Sequence, residues 1–242
     1  MRVLSIVHQA DTGPGVFLDA IGEAGAEHHV WQPPEDPHPP GTPAEYDAII
    51  SCGGSVHPVQ DAEHPWLPVE KRFLADAVRR RVPLLGVCLG NQLIAEALGT
   101  RTRRSSQPEI GWFAVQLTPE GLADAVVGPL ADHPGTREGR FEALQWHSYE
   151  VPLPDQAVAL ARSEVCLQCY RIGDRVWGVQ FHPEVTREDF QRWLDVYDSD
   201  EDAVRIGVDP ASLAAQTAPR IAGWNELGRG LCARFLRVAS EL

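Results

Sequence analysis

Three short stretches carry residue types suited to covalent acyl chemistry. The first is Gly86-Val87-Cys88-Leu89-Gly90. An apolar run (Val82, Leu84, Leu85, Val87) leads into it. Gln92, Leu93, Ile94, Ala95, Ala97 and Leu98 follow at helical spacing until Gly99. Strand, cysteine, helix is the arrangement of a nucleophile elbow, with Cys in place of Ser. Flanking glycines suit a sharp turn in which backbone segments approach closely. A thiol at a helix N-terminus meets free N–H groups and the positive end of the dipole, which favour thiolate. The second stretch is His182-Pro183-Glu184, directly after the apolar run Val176 to Phe181. A cysteine nucleophile needs a base, and the base needs a carboxylate to fix its tautomer and stabilise its imidazolium. Glu184 stands two residues from His182, and Pro183 ends the strand ladder between them. The third is Gly53-Gly54, after the strand-like Asp47 to Ser51. Open α/β sheets bind ligands beyond the carboxyl ends of their strands, so N–H groups there and at Leu89 would face an oxyanion. Taken singly, these are a buried cysteine beside a turn, a turn at a strand end and a Gly-Gly turn. The ordered set is what carries weight.

The elements that must position them alternate through the first hundred residues. Val3 to Val7 is a strand, Phe17, Leu18, Ile21 and Ala24 fall at helical spacing, and His29 to Trp31 is a second strand. Pro33 to Pro43 is too rich in proline for regular structure. Asp47 to Ser51 is a third strand, and Val69 to Arg81 an amphipathic helix with Phe73, Leu74, Ala77 and Val78 on one side. This alternation predicts parallel strands with helices on both faces. After Gly99, Ile110–Leu117, Ala157–Ala161, Cys166–Arg171 and Arg175–Phe181 read as strands with few helices between them. A partly antiparallel edge extension is expected there. From Thr186 onward the pattern is helical, interrupted by Asp198-Ser199-Asp200-Glu201-Asp202, read as a solvated loop or helix start.

The 242 residues suit one large α/β domain. A formal charge of −13 argues against binding nucleic acid or anionic lipid as the main activity. Five scattered cysteines and an N-terminus without a secretory pattern predict a cytoplasmic chain without a disulfide framework. Cys166 and Cys169 lack the second ligand pair of a structural zinc site, and no metal or cofactor is expected. Asp11-Thr12-Gly13-Pro14-Gly15 lacks the Lys-Ser/Thr of a phosphate loop and reads as an ordinary loop.

Gly53-Gly54, Gly86 to Gln92 and His182-Pro183-Glu184, in that order, resemble the class I glutamine amidotransferases. Pro108-Glu109-Ile110-Gly111-Trp112 and Trp146-His147-Ser148-Tyr149 extend the likeness, which is nearest to the amidotransferase domain of GMP synthase and its free-standing relatives. The resemblance implies an open, mostly parallel, flavodoxin-like sheet over residues 1–185. Residues 186–242 would form a helical extension packed on the same domain. It implies a triad of Cys88, His182 and Glu184, and an oxyanion hole from Gly54 and Leu89. Substrate would be held by Gly53, Gln92, His147, Ser148 and Tyr149. The implied reaction is thiolate attack on the side-chain amide of glutamine, giving a γ-glutamyl thioester, ammonia and then glutamate. Ser55-Val56-His57 stands where many relatives continue Gly-Gly with Pro. The chain also lacks length for a synthetase domain, so a separate synthetase subunit is the implied partner. Two alternatives keep the fold: a γ-glutamyl peptidase, with Cys52, His57 and Trp112 shaping its pocket, and a catalytically idle regulatory module.

Overall fold

The computed structural model describes residues 1–133 and 135–241. Its first half has the anticipated alternation: β1 (Arg2–Ile6), α1 (Phe17–Glu23), β2 (Glu27–Trp31), β3 (Ala48–Ser51), α2 (Leu67–Arg79), β4 (Leu84–Val87) and α3 (Leu89–Ala97). Strand period decides which face each side chain enters. Val3, Ala48, Ile50, Leu85 and Val87 enter one apolar cluster, whereas Leu4, Ile6, Ile49 and Leu84 enter another. Phe73, Leu74, Leu93 and Ile94 of α2 and α3 fill the second cluster, and Phe17, Ala20 and Ile21 of α1 fill the first. Helices therefore cover both faces.

The second half is richer in antiparallel pairing than expected. It comprises β5 (Arg103–Leu117), the short α4 (Pro119–Leu122), β6 (Arg140–Glu150), β7 (Ala157–Arg162), β8 (Leu167–Ile172) and β9 (Val176–Val179). All nine strands form one sheet in the order β2-β1-β3-β4-β9-β8-β7-β5-β6. Pairing is parallel from β2 to β9 and antiparallel beyond it. The sequence pattern does not reveal β6, whose alternation is broken by Trp146 and Tyr149, which line a cavity, Trp146 also packing on Phe190 and Trp193. Cys166 lies just before β8, and β5 begins well before Ile110.

The C-terminal helices are α5 (Arg187–Asp195), α6 (Glu201–Arg205), α7 (Pro210–Thr217) and α8 (Ile221–Ser240). Their buried side chains, including Phe190, Trp193, Leu213, Trp224, Leu231 and Phe235, join the cluster formed by α1 and one sheet face. The acidic run is a helix start, as expected, and departs from the solvated reading only at Asp202. Asp200 caps α6 by accepting from the Asp202 and Ala203 N–H groups, and Asp202 is buried in ion pairs with Arg104 and Arg205. Among the described residues no helix is long and apolar enough to cross a membrane. The five cysteines are all buried and unbonded.

Helix α8 grips the segment after β9. The Trp224 indole N–H donates to the His182 carbonyl at 2.7 Å, and Asn225 Nδ2 to the Val185 carbonyl at 2.7 Å. Gly228 lies so close to the Pro183 carbonyl that a Cβ there would overlap it. Gly228→Ala is therefore expected to destabilise by about 1–3 kcal/mol despite the better helix propensity of alanine. Gly22→Ala in α1, where a Cβ meets nothing within 4 Å, should be neutral or slightly stabilising. Thermal unfolding checks both, at roughly 2–4 °C in Tm per kcal/mol. An unchanged Tm for Gly228→Ala would refute the close fit.

Candidate functional site

Strands β3, β4 and β9 are parallel neighbours in near-level register, with Ser51 opposite Gly86 and Gly86 opposite Gly178. Their carboxyl ends deliver Gly53-Gly54, Cys88 and His182 to one rim, which is where such sheets bind ligands. Cys88 is the turn between β4 and α3, with φ +48° and ψ −106°. Positive φ at a residue with a Cβ is strained and persists only where its surroundings impose it. Here the surroundings do so. Cys88 N–H donates to the Val179 carbonyl at 2.8 Å, and Gly90 N–H to the Cys52 carbonyl at 3.0 Å. A Cβ at Gly86 would collide with the backbone of Gly90 and Asn91, and one at Gly90 with Ser51. The Gly-x-Cys-x-Gly pattern is thus a packing requirement of the elbow.

His182 is buried and lines the same cavity as Cys88. Its Nδ1 lies 2.8 Å from Glu184 Oε1, and Trp193 packs edge-on against its ring at 4.8 Å. Burial alone would pull the imidazolium down. The Glu184 carboxylate and the Cys88 sulfur outweigh it and carry His182 up to about 10. The arrangement therefore holds a proton on His182 at neutral pH.

These groups open into a cavity of about 470 Å³. Gly54, Cys88, Gln92, His147, Ser148, Tyr149 and His182 line it. Gly53, Leu89 and Glu184 stand behind that wall, with Leu89 beginning α3, where the first N–H groups of a helix lack intrahelical partners. The carboxyl end of β6 closes the opposite side. Cys88 Sγ lies 3.8 Å from the Trp146 carbonyl, and Gln92 Nε2 donates to the Tyr149 carbonyl at 3.3 Å. His57 lines the cavity and packs against Tyr149 at 4.5 Å. Cys52 and Trp112 do not line it: Cys52 is buried beneath the rim, and Trp112 packs on Trp224 and donates to Thr217. Sequence reasoning missed Arg104, Asp200, Asp202 and Trp193 as lining residues. The C-terminal helices and the early part of β5 bring them in from far along the chain. Asp202 is held down at about 2; burial opposes this, but hydrogen bonds from Ser148, Arg205 and Arg104 prevail.

Glu109, His147 and Cys166 bring possible ligand atoms within 4.8 Å of one another. Glu109 Oε2 already accepts from Gln168 Nε2 at 2.8 Å and Ser163 Oγ at 3.0 Å, with His147 Nε2 at 3.3 Å. Burial and the Glu109 charge push the Cys166 thiol up. The cluster is a buried polar brace for β6, since His147 Nδ1 also contacts the Tyr149 carbonyl.

Fold and rim together define an α/β protein with a cysteine elbow faced by a histidine–carboxylate pair. Residues 16–195 match the family described as "Glutamine amidotransferase class-I", and the chain belongs to that family. It is 33% identical over 192 residues to the glutamine amidotransferase-like protein YfeJ of Salmonella typhimurium, covering 78% of this chain and 77% of that one. It is 32% identical over 145 residues to a subunit of the glutamine-hydrolyzing GMP synthase of Sulfolobus acidocaldarius, covering 58% and 69%. The crystal structure of a glutamine amidotransferase from Thermotoga maritima superposes with a TM-score of 0.82 at 25% identity, covering 98% of both chains. One from Methylobacillus flagellatus gives 0.83 at 26%, covering 98% and 94%.

The raised His182 value has a definite sign. Its protonated form, and the stability gained from Glu184, are fully present below the ordinary histidine value and are lost as pH rises through about 10. Glu184→Gln should move the midpoint of a ¹⁵N NMR titration of the His182 ring to lower pH. A midpoint unmoved by that substitution would mean that Glu184 does not hold the proton there.

Proposed function

We propose that this protein is a free-standing cysteine hydrolase of γ-glutamyl amides, glutamine among them. The observation that carries this is the strained Cys88 elbow opening into the same cavity as His182, whose Nδ1 lies 2.8 Å from Glu184 Oε1. The Cys88 thiolate attacks the side-chain carbonyl carbon, forming a C–S bond and placing the π electrons on oxygen. Gly54 and Leu89 N–H groups receive that oxyanion. Its collapse breaks the C–N bond as His182 gives its proton to the departing nitrogen. His182 then takes a proton from water, which attacks the thioester and releases the γ-glutamyl acid and the thiolate. Gln92 and the backbone at His147, Ser148 and Tyr149 hold the amino-acid end of the substrate, while Gly53, expected beside them, stands behind the cavity wall. A primary amide is a poor electrophile, so the covalent route and the oxyanion donors supply most of the acceleration.

One observation favours substrates larger than free glutamine, as a γ-glutamyl peptidase would use. The cavity of about 470 Å³ lies within the roughly 300–1,000 Å³ typical of sites for drug-sized ligands. Its lining also carries Arg104, His57, Asp200 and Asp202, polar groups beyond those assigned to the amino-acid end. The relative named as a GMP synthase subunit supports the other option, ammonia delivery to a separate synthetase.

Glutamate release measured over glutamine, γ-glutamyl-p-nitroanilide and a γ-glutamyl tripeptide tests the reading. Turnover is expected for at least one, and Cys88→Ala should lower it by about 10³–10⁶-fold. Activity retained in Cys88→Ala would overturn the nucleophile assignment. Turnover of glutamine alone would remove the peptidase option. No turnover by wild type, together with no selective labelling of Cys88 by a glutamine-mimicking electrophile, would leave the idle module.

A further inference from the structure

A second buried histidine–carboxylate pair lies behind the Gly53-Gly54 loop, and the role argued for it rests on the hydrolase reading. His8 extends from the end of β1, with Nδ1 2.8 Å from the Gly53 carbonyl and Nε2 2.9 Å from Glu70 Oε2. Glu70 is wholly buried on the otherwise apolar face of α2, and its Oε1 accepts from Ser51 Oγ at 2.8 Å. Trp66 stacks on the His8 ring at 5.3 Å and 21°, fixing its plane. Thr12 Oγ1 supplies a second donor to the Gly53 carbonyl at 3.0 Å.

Burying a carboxylate and an imidazole together is at best neutral for stability relative to apolar side chains of the same volume. The pair's specific effect is on one peptide unit. In a trans peptide the carbonyl and the following N–H point in opposite directions within one plane. Fixing the Gly53 oxygen toward His8 and Thr12 therefore fixes Gly54 N–H toward the cavity that Gly54 lines beside Cys88 and His182. Between two glycines that plane would otherwise rotate at little cost. Space forbids larger residues here: a Cβ on Gly53 would lie 3.0 Å from His182 Cε1, and one on Gly54 3.0 Å from His8 Cβ. Glycine leaves the peptide free, and the histidine removes that freedom.

We propose that His8, backed by Glu70, is a positioning residue that aims Gly54 N–H at the oxyanion of the tetrahedral intermediates. The protonation of His8 agrees with two-sided donation. Burial alone would lower it, but the Glu70 charge and the hydrogen bonds to Glu70 and the Gly53 carbonyl leave it above the ordinary histidine value.

The test compares two reactions of Cys88 in the same protein. Hydrolysis of γ-glutamyl-p-nitroanilide passes through an oxyanion, whereas alkylation by iodoacetamide does not. His8→Leu keeps the volume and removes the donor. Its kcat should fall by about 10²–10³-fold, the usual effect of losing an oxyanion donor, with KM and the alkylation rate within about twofold of wild type. His8→Asn returns an N–H near the Nδ1 position and should recover at least about tenfold of that loss. Should His8→Leu fail to fold, Thr12→Val and Glu70→Gln read the same split with smaller drops in kcat. Unchanged kcat in the folded variants, or kcat and alkylation falling in parallel without rescue by Asn, would overturn the proposal. A wild type inert toward every γ-glutamyl compound would overturn the hydrolase reading instead. Hydrolysis of p-nitrophenyl acetate by Cys88, which also needs an oxyanion, would then decide on His8 separately.

Discussion

The site depends on one strained residue. Cys88 adopts a backbone conformation that a side chain disfavours, at a cost of order 1–3 kcal/mol. The cost is borne because three strands converge there. The Cys88 N–H is tied to β9, the Gly90 N–H to the end of β3, and glycines at 86 and 90 admit the neighbouring backbone. Relaxing the elbow would break both ties and move Cys88 away from His182. The strain is the geometry that turns a thiol out of a buried strand and toward a cavity.

Much of this was legible in the chain. Period-two apolar runs and glycine corners located β1, β3, β4 and β9, and their shared carboxyl rim follows from the parallel alternation. The order Gly53-Gly54, Cys88, His182-Pro183-Glu184 points to the family that residues 16–195 match. Other parts had no local signal. Strand β6 carries Trp146 and Tyr149 toward the cavity, so its alternation does not read as core against solvent. The acidic run at Asp198 to Asp202 has the composition of a surface loop. Asp202 is buried between its neighbour Arg205 and Arg104, which comes from almost a hundred positions earlier. Glu70 is the same problem in a helix: periodicity puts it on the apolar face, and only the fold reveals His8 opposite.

Buried polar groups are concentrated around the cavity. His8 with Glu70, His182 with Glu184, and His147 with Glu109 are three buried histidine–carboxylate pairs, each fixing a different wall. Asn91 and Gln92 both reach Gln180 Oε1, linking α3 to the segment that ends in His182. Elsewhere the interior is largely aliphatic and aromatic. Low local dielectric strengthens satisfied networks and penalises incomplete ones, so these walls are the parts least tolerant of displacement.

The grip of α8 on the segment after β9 also orders events in time. The His182 carbonyl finds its Trp224 donor only after 42 further residues, and the Val185 carbonyl waits for Asn225. On the ribosome, the cysteine elbow and its glycines emerge well before anything that clamps the histidine. A nascent chain therefore holds Cys88 and His182 before the groups that clamp the His182 segment have been made.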